Sequence, residues 1–250
     1  MGVRGLRDVI FEKQDACVDV VDLVEVAQER GGIEILVDFH SFKFFIMDAF
    51  QKSISKHYNN DYLCVTGGEY KALDAYLEQF IRILRDLQIS LVMLEDGGKG
   101  SSMLENREKQ STWEYRHSMR MKQIPAIFDA IRGSTRIQDI DGGVLVMCQP
   151  WRGDQITSTL LRCQCELLTI ASGDADKAIA LALKERPKAY AILSNDSDLF
   201  MYPGSRTILP KLFDLENMLG LGKPQNLPSE PKSLRCGVIT SSKVASFLGV

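Results

Sequence analysis

The sequence lacks several features that would direct it to common functional classes. It has no excess of positive charge, since 30 Lys and Arg against 33 Asp and Glu give a net charge of −3, and this disfavours a broadly basic, passive nucleic-acid binder. It has no glycine-rich phosphate loop of the Walker type and no G-x-S-x-G elbow, so ATPases and serine hydrolases have little support.

Two further absences concern the compartment. None of the six cysteines forms a C-x-x-C pair, and Cys163-x-Cys165 alone is a poor zinc signature. We expect reduced thiols in the apolar interior of an intracellular protein. No apolar run approaches the roughly 18 residues of a membrane span, and the first residues do not read as a secretory signal. The sequence therefore predicts a soluble protein of the nucleus or cytoplasm that does not enter a membrane.

Short apolar runs alternate with amphipathic segments along the chain. The predicted strands are residues 33–38, 89–94, 167–170, 190–193 and 236–239, with a further short apolar run at 144–148. The predicted helices are residues 18–28, 42–55, 69–87, 156–162 and 174–184, with another helix starting at Ser241. Residues 99–123 are polar and charged, and we interpret them as a helix or a mobile arch. This alternation predicts an α/β fold with a mostly parallel central sheet flanked by helices. At 250 residues and 45% hydrophobic, one domain is expected.

Six aspartates follow or flank these strands, which makes them the main candidates for chemistry. They are Asp38, Asp96, Asp174, Asp176, Asp196 and Asp198. Because the carboxyl ends of parallel strands lie along one edge of a sheet, we expect these side chains to gather there. Carboxylates at close range repel one another unless cations compensate them, and Mg²⁺ prefers oxygen ligands.

Each aspartate also has a purely structural interpretation. Asp174 suits a helix N-cap, while Asp96 and the pair Asp196 and Asp198 suit turns. Two D-x-D pairs and two more strand-end aspartates on one edge nevertheless match what a two-metal phosphodiesterase needs, namely ligands for two ions about 4 Å apart.

Basic and aromatic residues follow Asp96. The basic ones are Lys99, Arg107, Lys109, Arg116 and Arg120. They are candidates to hold a phosphate or to admit a single strand, or else they form a solvated helix paired with nearby glutamates. Trp113 and Tyr115 either stack on bases or anchor this segment. His40 is a weaker candidate for a metal ligand. A hydrogen bond to a metal ligand, or plain packing, is favoured for it instead.

Several of these motifs resemble the flap-endonuclease/XPG nucleases, and among them the Asteroid family. The matching stretches are Met1-Gly2-Val3-Arg4-Gly5-Leu6, Ile35-Leu36-Val37-Asp38, Gly67-Gly68-Glu69-Tyr70, Leu94-Glu95-Asp96-Gly97-Gly98, Lys109-x-x-Thr112-x-x-x-Arg116, Gly173-Asp174-Ala175-Asp176-Lys177-Ala178 and Leu193-Ser194-Asn195-Asp196-Ser197-Asp198-Leu199-Phe200. The last stretch is the most specific, and the resemblance extends over essentially the whole chain.

The resemblance implies a PIN-like, Rossmann-like nuclease domain over residues 1–250. Residues 1–123 would form the N-terminal nuclease region with the basic segment, and residues 124–250 the region of the internal acidic motif. The six aspartates would be catalytic and would bind two Mg²⁺ or Mn²⁺ ions, and Lys99, Lys109 and Arg116 would bind a DNA or RNA substrate.

The sequence departs from the family pattern at three places. Phe39 and His40 follow Asp38 where the family has small or amide residues, and Asp174 replaces a longer Glu. The family's last catalytic aspartate would fall beyond Val250, so either the domain continues past this sequence or the site has one ligand fewer. Two functions therefore remain open, an active nuclease and a catalytically weak or inactive pseudo-nuclease that serves as a nucleic-acid-binding or protein-interaction scaffold.

Overall fold

The strands in the described part of the chain form one seven-stranded sheet. The structure is a computed structural model and describes residues 5–55, 69–97, 102–133, 150–171, 173–213 and 233–249. Strands β1 to β7 are Val18–Asp22, Ile33–Asp38, Ile89–Asp96, Glu166–Ile170, Ala189–Leu193, Arg206–Phe213 and Arg235–Thr240. Within the same ranges, helices α1 to α9 are Leu6–Glu12, Gln14–Cys17, Leu23–Arg30, Phe39–Ser55, Tyr70–Asp86, Met103–Arg132, Pro150–Arg162, Ala175–Glu185 and Ser241–Leu248. A 3₁₀ turn covers Ser197–Phe200.

The strands lie in the order β1-β7-β6-β5-β2-β3-β4. The five strands from β6 to β4 are parallel to their neighbours, whereas β7 runs antiparallel to both β6 and β1. The predicted α/β fold with a mostly parallel sheet is therefore confirmed.

The centre of the sheet is buried on both faces, which explains the uninterrupted apolar runs of its strands. In β2, Ile35 and Val37 pack with α4 and α5 in the larger hydrophobic cluster. Leu36, which points the other way, packs with Ile179 and Leu183 of α8 in a second cluster. Packing on both faces fixes the position of β2, and therefore the position of Asp38 at its carboxyl end.

The helix predicted at residues 18–28 is wrong at its start. Residues Val18–Asp22 form β1, which pairs antiparallel with β7, and the helix begins only at Leu23. Asp22 caps that helix by accepting a hydrogen bond from the Val24 amide at 3.0 Å. Val18, Val20 and Val21 favour a strand once a partner strand is available, and that partner lies more than 200 residues further along the chain.

The other predicted elements in the described ranges are confirmed to within a few residues, with two extensions. The helix at residues 42–55 begins at Phe39, and the one at residues 156–162 begins at Pro150. The segment predicted at residues 99–123 is helical from Met103 onward, within a 30-residue helix, α6, that has Pro125 inside it. Strand β6 was not predicted from the sequence. The apolar run at 144–148 and the motif residues Gly67 and Gly68 lie outside the described residues.

Helix α6 exposes most of its apolar side chains to solvent. At 1.5 Å per residue, its 30 residues extend for roughly 45 Å. Met103, Leu104, Tyr115 and Phe128 are exposed, whereas Ile127 is buried. Of the described helices, none combines the length and the apolar character that would be needed to cross a membrane.

Candidate metal centre at the carboxyl edge of the sheet

The predicted aspartates lie along the carboxyl edge of the sheet, which includes the point between β2 and β5 where the strand order reverses. From β2 the parallel sheet continues through β3 to β4 on one side and through β5 to β6 on the other. The connections from β2 and β5 therefore leave in opposite directions and open a crevice at their carboxyl ends, which is where ligands bind in open α/β sheets. Asp38 ends β2, and Ser194 directly follows β5.

The two D-x-D pairs use the same local geometry. The Asp174 carboxylate accepts a hydrogen bond from the Asp176 amide at 3.0 Å and caps α8. The Asp196 carboxylate accepts one from the Asp198 amide at 3.1 Å and caps the 3₁₀ turn. The interpretation of Asp174 as a helix N-cap is thus correct, and Asp196, interpreted as a turn residue, caps the 3₁₀ turn. In each pair the first aspartate fixes the backbone that presents the second.

Three of the six carboxylates come within ligand distance of one another. Asp176, Asp196 and Asp198 each offer one oxygen, and these oxygens lie within 4.8 Å of one another. Oxygens bound to one Mg²⁺ at about 2.1 Å lie roughly 3–4 Å apart. Small side-chain movements would therefore bring all three onto one ion, and their chemistry suits a hard divalent cation.

The surroundings of Asp176 disfavour the ionised form of its carboxyl group. Burial, followed by the negative charges of its carboxylate neighbours, chiefly Asp196 and then Asp174, raises the pKa of Asp176 to about 7. Both causes disfavour the ionised form. A bound divalent cation offsets both, so this site favours cation binding once Asp176 has lost its proton.

Asp38 is held by the chain itself. Its Oδ1 accepts hydrogen bonds from the amides of His40 and Ser41, at 3.0 and 3.4 Å, at the start of α4. Its Oδ2 accepts from the hydroxyls of Ser41 and Ser194, at 2.5 and 2.8 Å. Asp38 therefore links the end of β2 to the turn that follows β5.

Asp96 is paired with a lysine from the long helix α6. Lys109 Nζ lies 3.1 Å from both carboxylate oxygens of Asp96 and 3.2 Å from the Gly173 carbonyl oxygen. Next to Asp96, the Gly97 amide donates to the Ile170 carbonyl at 3.0 Å. A Cβ at Gly97 would lie 2.4 Å from that oxygen, so this close approach of backbones requires glycine.

A cavity of about 460 Å³ lies over this edge of the sheet. Five of the six aspartates line it, and Asp198 contributes to the carboxylate cluster without lining the cavity. The opposite wall comes from α6, with Lys109, Thr112, Trp113 and Arg116. One side of the cavity is thus acidic and the other is basic and aromatic. This combination suits an anionic ligand bound through cations on one side and directly on the other.

Comparison with known proteins gives matches among solved structures. The sequence matches no protein-family model, and no curated protein is significantly similar to it. The catalytic core of Rad2 in complex with a DNA substrate aligns with 15% identity and a TM-score of 0.49, over the whole of this chain and 58% of the Rad2 chain. Human GEN1 in complex with Holliday junction DNA aligns with 14% identity and a TM-score of 0.48, over the whole of this chain and 47% of the GEN1 chain. A second structure of the Rad2 catalytic core gives 13% identity, a TM-score of 0.44 and coverage of 100% and 55%. The chain thus spans about half the length of each of these three solved chains.

The other predicted site residues are distributed as follows. Asp38, Asp96 and Asp174 line the same cavity as Asp176 and Asp196 but do not belong to the group of three close oxygens. Among the basic candidates, Lys109 contacts Asp96 and Arg116 lines the cavity, while Lys99 lies outside the described residues. The roles of these residues in catalysis and substrate binding stay predictions.

His40 and the two aromatic residues of α6 also have defined positions. His40 lines the cavity and packs edge-on against Phe44, with ring centroids 5.1 Å apart. Trp113 lines the cavity with about half of its surface exposed, whereas Tyr115 is exposed and does not line it. Of the two, only Trp113 is placed to contact a ligand in the cavity.

Three polar residues at this edge were not identified from the sequence. Ser41 and Ser194 contact Asp38, and the Tyr202 hydroxyl donates to Asp174 Oδ2 at 3.4 Å. Burial and the neighbouring carboxylates, chiefly Asp174, raise the pKa of Tyr202 to about 12, so it stays a neutral donor. A hydroxyl within the Ser194–Asp198 stretch was visible in the sequence, but its partner across the sheet was not.

Proposed function

We propose that this chain is a divalent-metal-dependent nuclease that hydrolyses phosphodiester bonds of structured or single-stranded DNA or RNA. The observation that carries the proposal is the meeting of Asp176, Asp196 and Asp198 within 4.8 Å at the carboxyl edge of the sheet. Carboxylate oxygens favour Mg²⁺ or Mn²⁺. Ions bound there would polarise the scissile phosphate, activate a water molecule for attack and stabilise the leaving oxygen.

The six aspartates divide into two groups in this proposal. Asp176, Asp196 and Asp198 would hold one ion directly. Asp38, Asp96 and Asp174, which line the same cavity, would complete the environment of a second ion. Catalytic and metal-binding roles for all six are proposed on this basis, and the number of ions and their identity are part of the proposal.

The basic wall of the cavity would bind the substrate. Lys109 and Arg116 face the acidic edge from α6 and supply positive charge for the phosphate that is cleaved or for its neighbour. Trp113, beside them, offers a flat ring on which an unpaired base can stack. Lys99 is proposed to bind the substrate as well, on the sequence pattern alone.

The motif resemblance supports a finer assignment. We assign the chain to the PIN-like nucleases of the flap-endonuclease/XPG type, as a single domain over residues 1–250, and within them to the Asteroid family on the stretches 173–178 and 193–200. An intracellular location, in the nucleus or the cytoplasm, is proposed with it.

The experiment is a cleavage assay on labelled single-stranded, flap and overhang substrates with Mg²⁺ or Mn²⁺. We expect wild-type cleavage that EDTA abolishes and that Asp196→Ala lowers by at least about 10²-fold, as for other groups that stabilise the transition state. Asp86→Ala is the matched control, since Asp86 is an exposed aspartate at the end of α5. Cleavage that survives in Asp196→Ala at the wild-type rate would refute the assignment.

A non-catalytic scaffold is the second candidate. This candidate is favoured because side chains of the protein itself bind two of the six carboxylates. Lys109 donates to Asp96, and two serine hydroxyls donate to Asp38. Such a protein would bind a nucleic acid or a protein partner equally well with and without Mg²⁺. Binding that persists in EDTA, together with no cleavage under any condition of the assay, would select this candidate.

A further inference from the structure

Two serine hydroxyls connect the end of β2 with the turn after β5. Ser41 Oγ, in the first turn of α4, lies 2.5 Å from Asp38 Oδ2, and Ser194 Oγ lies 2.8 Å from the same oxygen. The two hydroxyl oxygens are 3.3 Å apart. Ser194 is completely buried, so its hydroxyl requires partners within the protein.

Each hydroxyl also accepts a hydrogen bond from the backbone of the turn. The Asp196 amide donates to Ser194 Oγ at 3.0 Å, and the Asn195 amide donates to Ser41 Oγ at 3.3 Å. A serine hydroxyl has one proton to donate. The consistent assignment is that both protons point to Asp38 and both oxygens receive the turn amides.

Asp38 is the fixed point of this arrangement. Two serine hydroxyls and two amides at the start of α4 donate to its carboxylate, so one ionised acceptor orients both serines. Hydrogen bonds to an ionised acceptor are roughly twice as strong as those between neutral groups. Through their charge-assisted bonds to Asp38, the two serines tie the turn carrying Asn195 and Asp196 to the end of β2.

We infer that Ser41 and Ser194 are positioning residues that hold the Asp196 turn in the geometry needed for cation binding, with Asp38 acting through them. This inference rests on the proposed function. Asp196 caps the amide of Asp198, so fixing the backbone at Asn195 and Asp196 fixes two of the three close carboxylates. Like charges would otherwise drive these carboxylates apart, and the two serines oppose that separation. Neither serine needs to touch the ion or the substrate for this role.

The test measures Mn²⁺ affinity by calorimetry and by electron paramagnetic resonance, with no substrate present. Removing a partner that orients a metal ligand typically lowers metal affinity about 10- to 100-fold, and we expect that loss for Ser41→Ala and Ser194→Ala. Ser41→Thr and Ser194→Thr keep the hydroxyl and should bind Mn²⁺ within about 3-fold of the wild type if it is the hydroxyl that matters. Ser205→Ala is the control, because Ser205 is another buried serine and its Oγ has no hydrogen-bond partner within the described part of the chain.

Hydrogen exchange in EDTA gives a second, metal-free readout. Amides of residues 194–198 should exchange faster in both alanine variants than in wild type or Ser205→Ala. If Ser194→Ala fails to fold, Ser41→Ala tests the same connection, because Ser41 is only half-buried.

The outcomes separate the two levels of inference. Wild-type protein that takes up no Mn²⁺ would overturn the proposed function and this role together. Wild-type uptake with both alanine variants equal to Ser205→Ala, in affinity and in exchange, would overturn the positioning role alone and leave the proposed function in place. Loss of affinity in the alanine variants with recovery in the threonine variants would establish it.

Discussion

Replacing Asp176 with asparagine should make the metal-free fold more stable at alkaline pH. In the folded protein, burial and neighbouring carboxylates raise the pKa of Asp176 to about 7 from an ordinary value of 3.8. Below pH 3.8 the side chain is neutral in both folded and unfolded chains, and it costs nothing. As the pH rises towards 7, the unfolded chain loses the proton that the folded chain keeps, so the folded state loses stability. Above pH 7 the penalty is complete.

The size of the effect follows from the same values. Each pH unit across which only the unfolded chain has ionised costs about 1.4 kcal/mol. Between pH 5 and pH 7 this amounts to about 2.7 kcal/mol, which solvent screening and relaxation reduce to roughly 1–2.5 kcal/mol. Asparagine carries no charge and avoids this penalty. Relative to its effect at pH 5, the substitution is therefore expected to stabilise the fold at pH 8 by about 1–2.5 kcal/mol more.

The assay is urea unfolding in EDTA at pH 5 and at pH 8. We expect the wild type to lose about 1–2.5 kcal/mol more than Asp176→Asn between these two pH values. Repeating it at pH 8 with Mn²⁺ at about 100 times its dissociation constant should stabilise the wild type by about 2.7 kcal/mol and the variant by much less. Parallel pH dependences of the two proteins would show that Asp176 does not carry the electrostatic cost described here.

Three further predictions concern the basic wall, the opposite edge of the sheet and the core. If the proposed function holds, Lys109→Met should lower cleavage of a labelled single strand by about 10²-fold, because it removes a positive charge proposed to face the scissile phosphate. Lys122→Met, at an exposed lysine of the same helix, should leave cleavage unchanged, and an equal loss in both variants would contradict a specific role. Arg186→Met should lower the free energy of unfolding by about 1–2 kcal/mol, because Arg186 bridges Glu34 and Glu166 near the amino ends of β2 and β4. Mn²⁺ affinity should not change, since this bridge lies away from the carboxyl edge. An unchanged urea midpoint would contradict the stabilising role. Phe80→Ala should cost about 3–5 kcal/mol by thermal unfolding, since its ring is fully buried, and a loss below about 1 kcal/mol would mean that the site collapses around the gap.

The sequence was sufficient to predict the parallel centre of the sheet. β2, β3 and β5 are buried on both faces, so their sequences are short apolar runs that end in polar residues, and those runs are visible without any knowledge of partners. The same feature located Asp38, Asp96 and Asp196 at one edge. Parallel strands make this inference possible because all their carboxyl ends lie together.

The antiparallel edge was less accessible to prediction. β1 has the local composition of a helix start as well as of a strand, and its assignment depends on pairing with β7. β6 pairs with β5 at only two registered positions, Thr207 and Ile208, before its register shifts against β7. A strand that depends on pairing with a distant partner has little periodicity in its own sequence, so local sequence patterns do not identify it.

The finer geometry of the site had the same limitation. The D-x-D spacing indicated that each pair would present carboxylates together, and both pairs do share one capping geometry. The link from Ser194 to Asp38 crosses 156 positions in the sequence, and the contact between Lys109 and Gly173 crosses 64. Such contacts arise only when strands and helices from distant parts of the chain have packed.

The pairing of β1 with β7 also has a consequence for how the protein folds during its synthesis. Val18 is registered against Ile239, a separation of 221 positions, and the ribosome adds roughly 5–20 residues each second. The first strand must therefore wait about 10–45 s for its neighbour, and during that interval its unpaired backbone groups are open to other chains. A chaperone that covers unpaired strand edges during this interval is therefore expected to raise the yield of native protein.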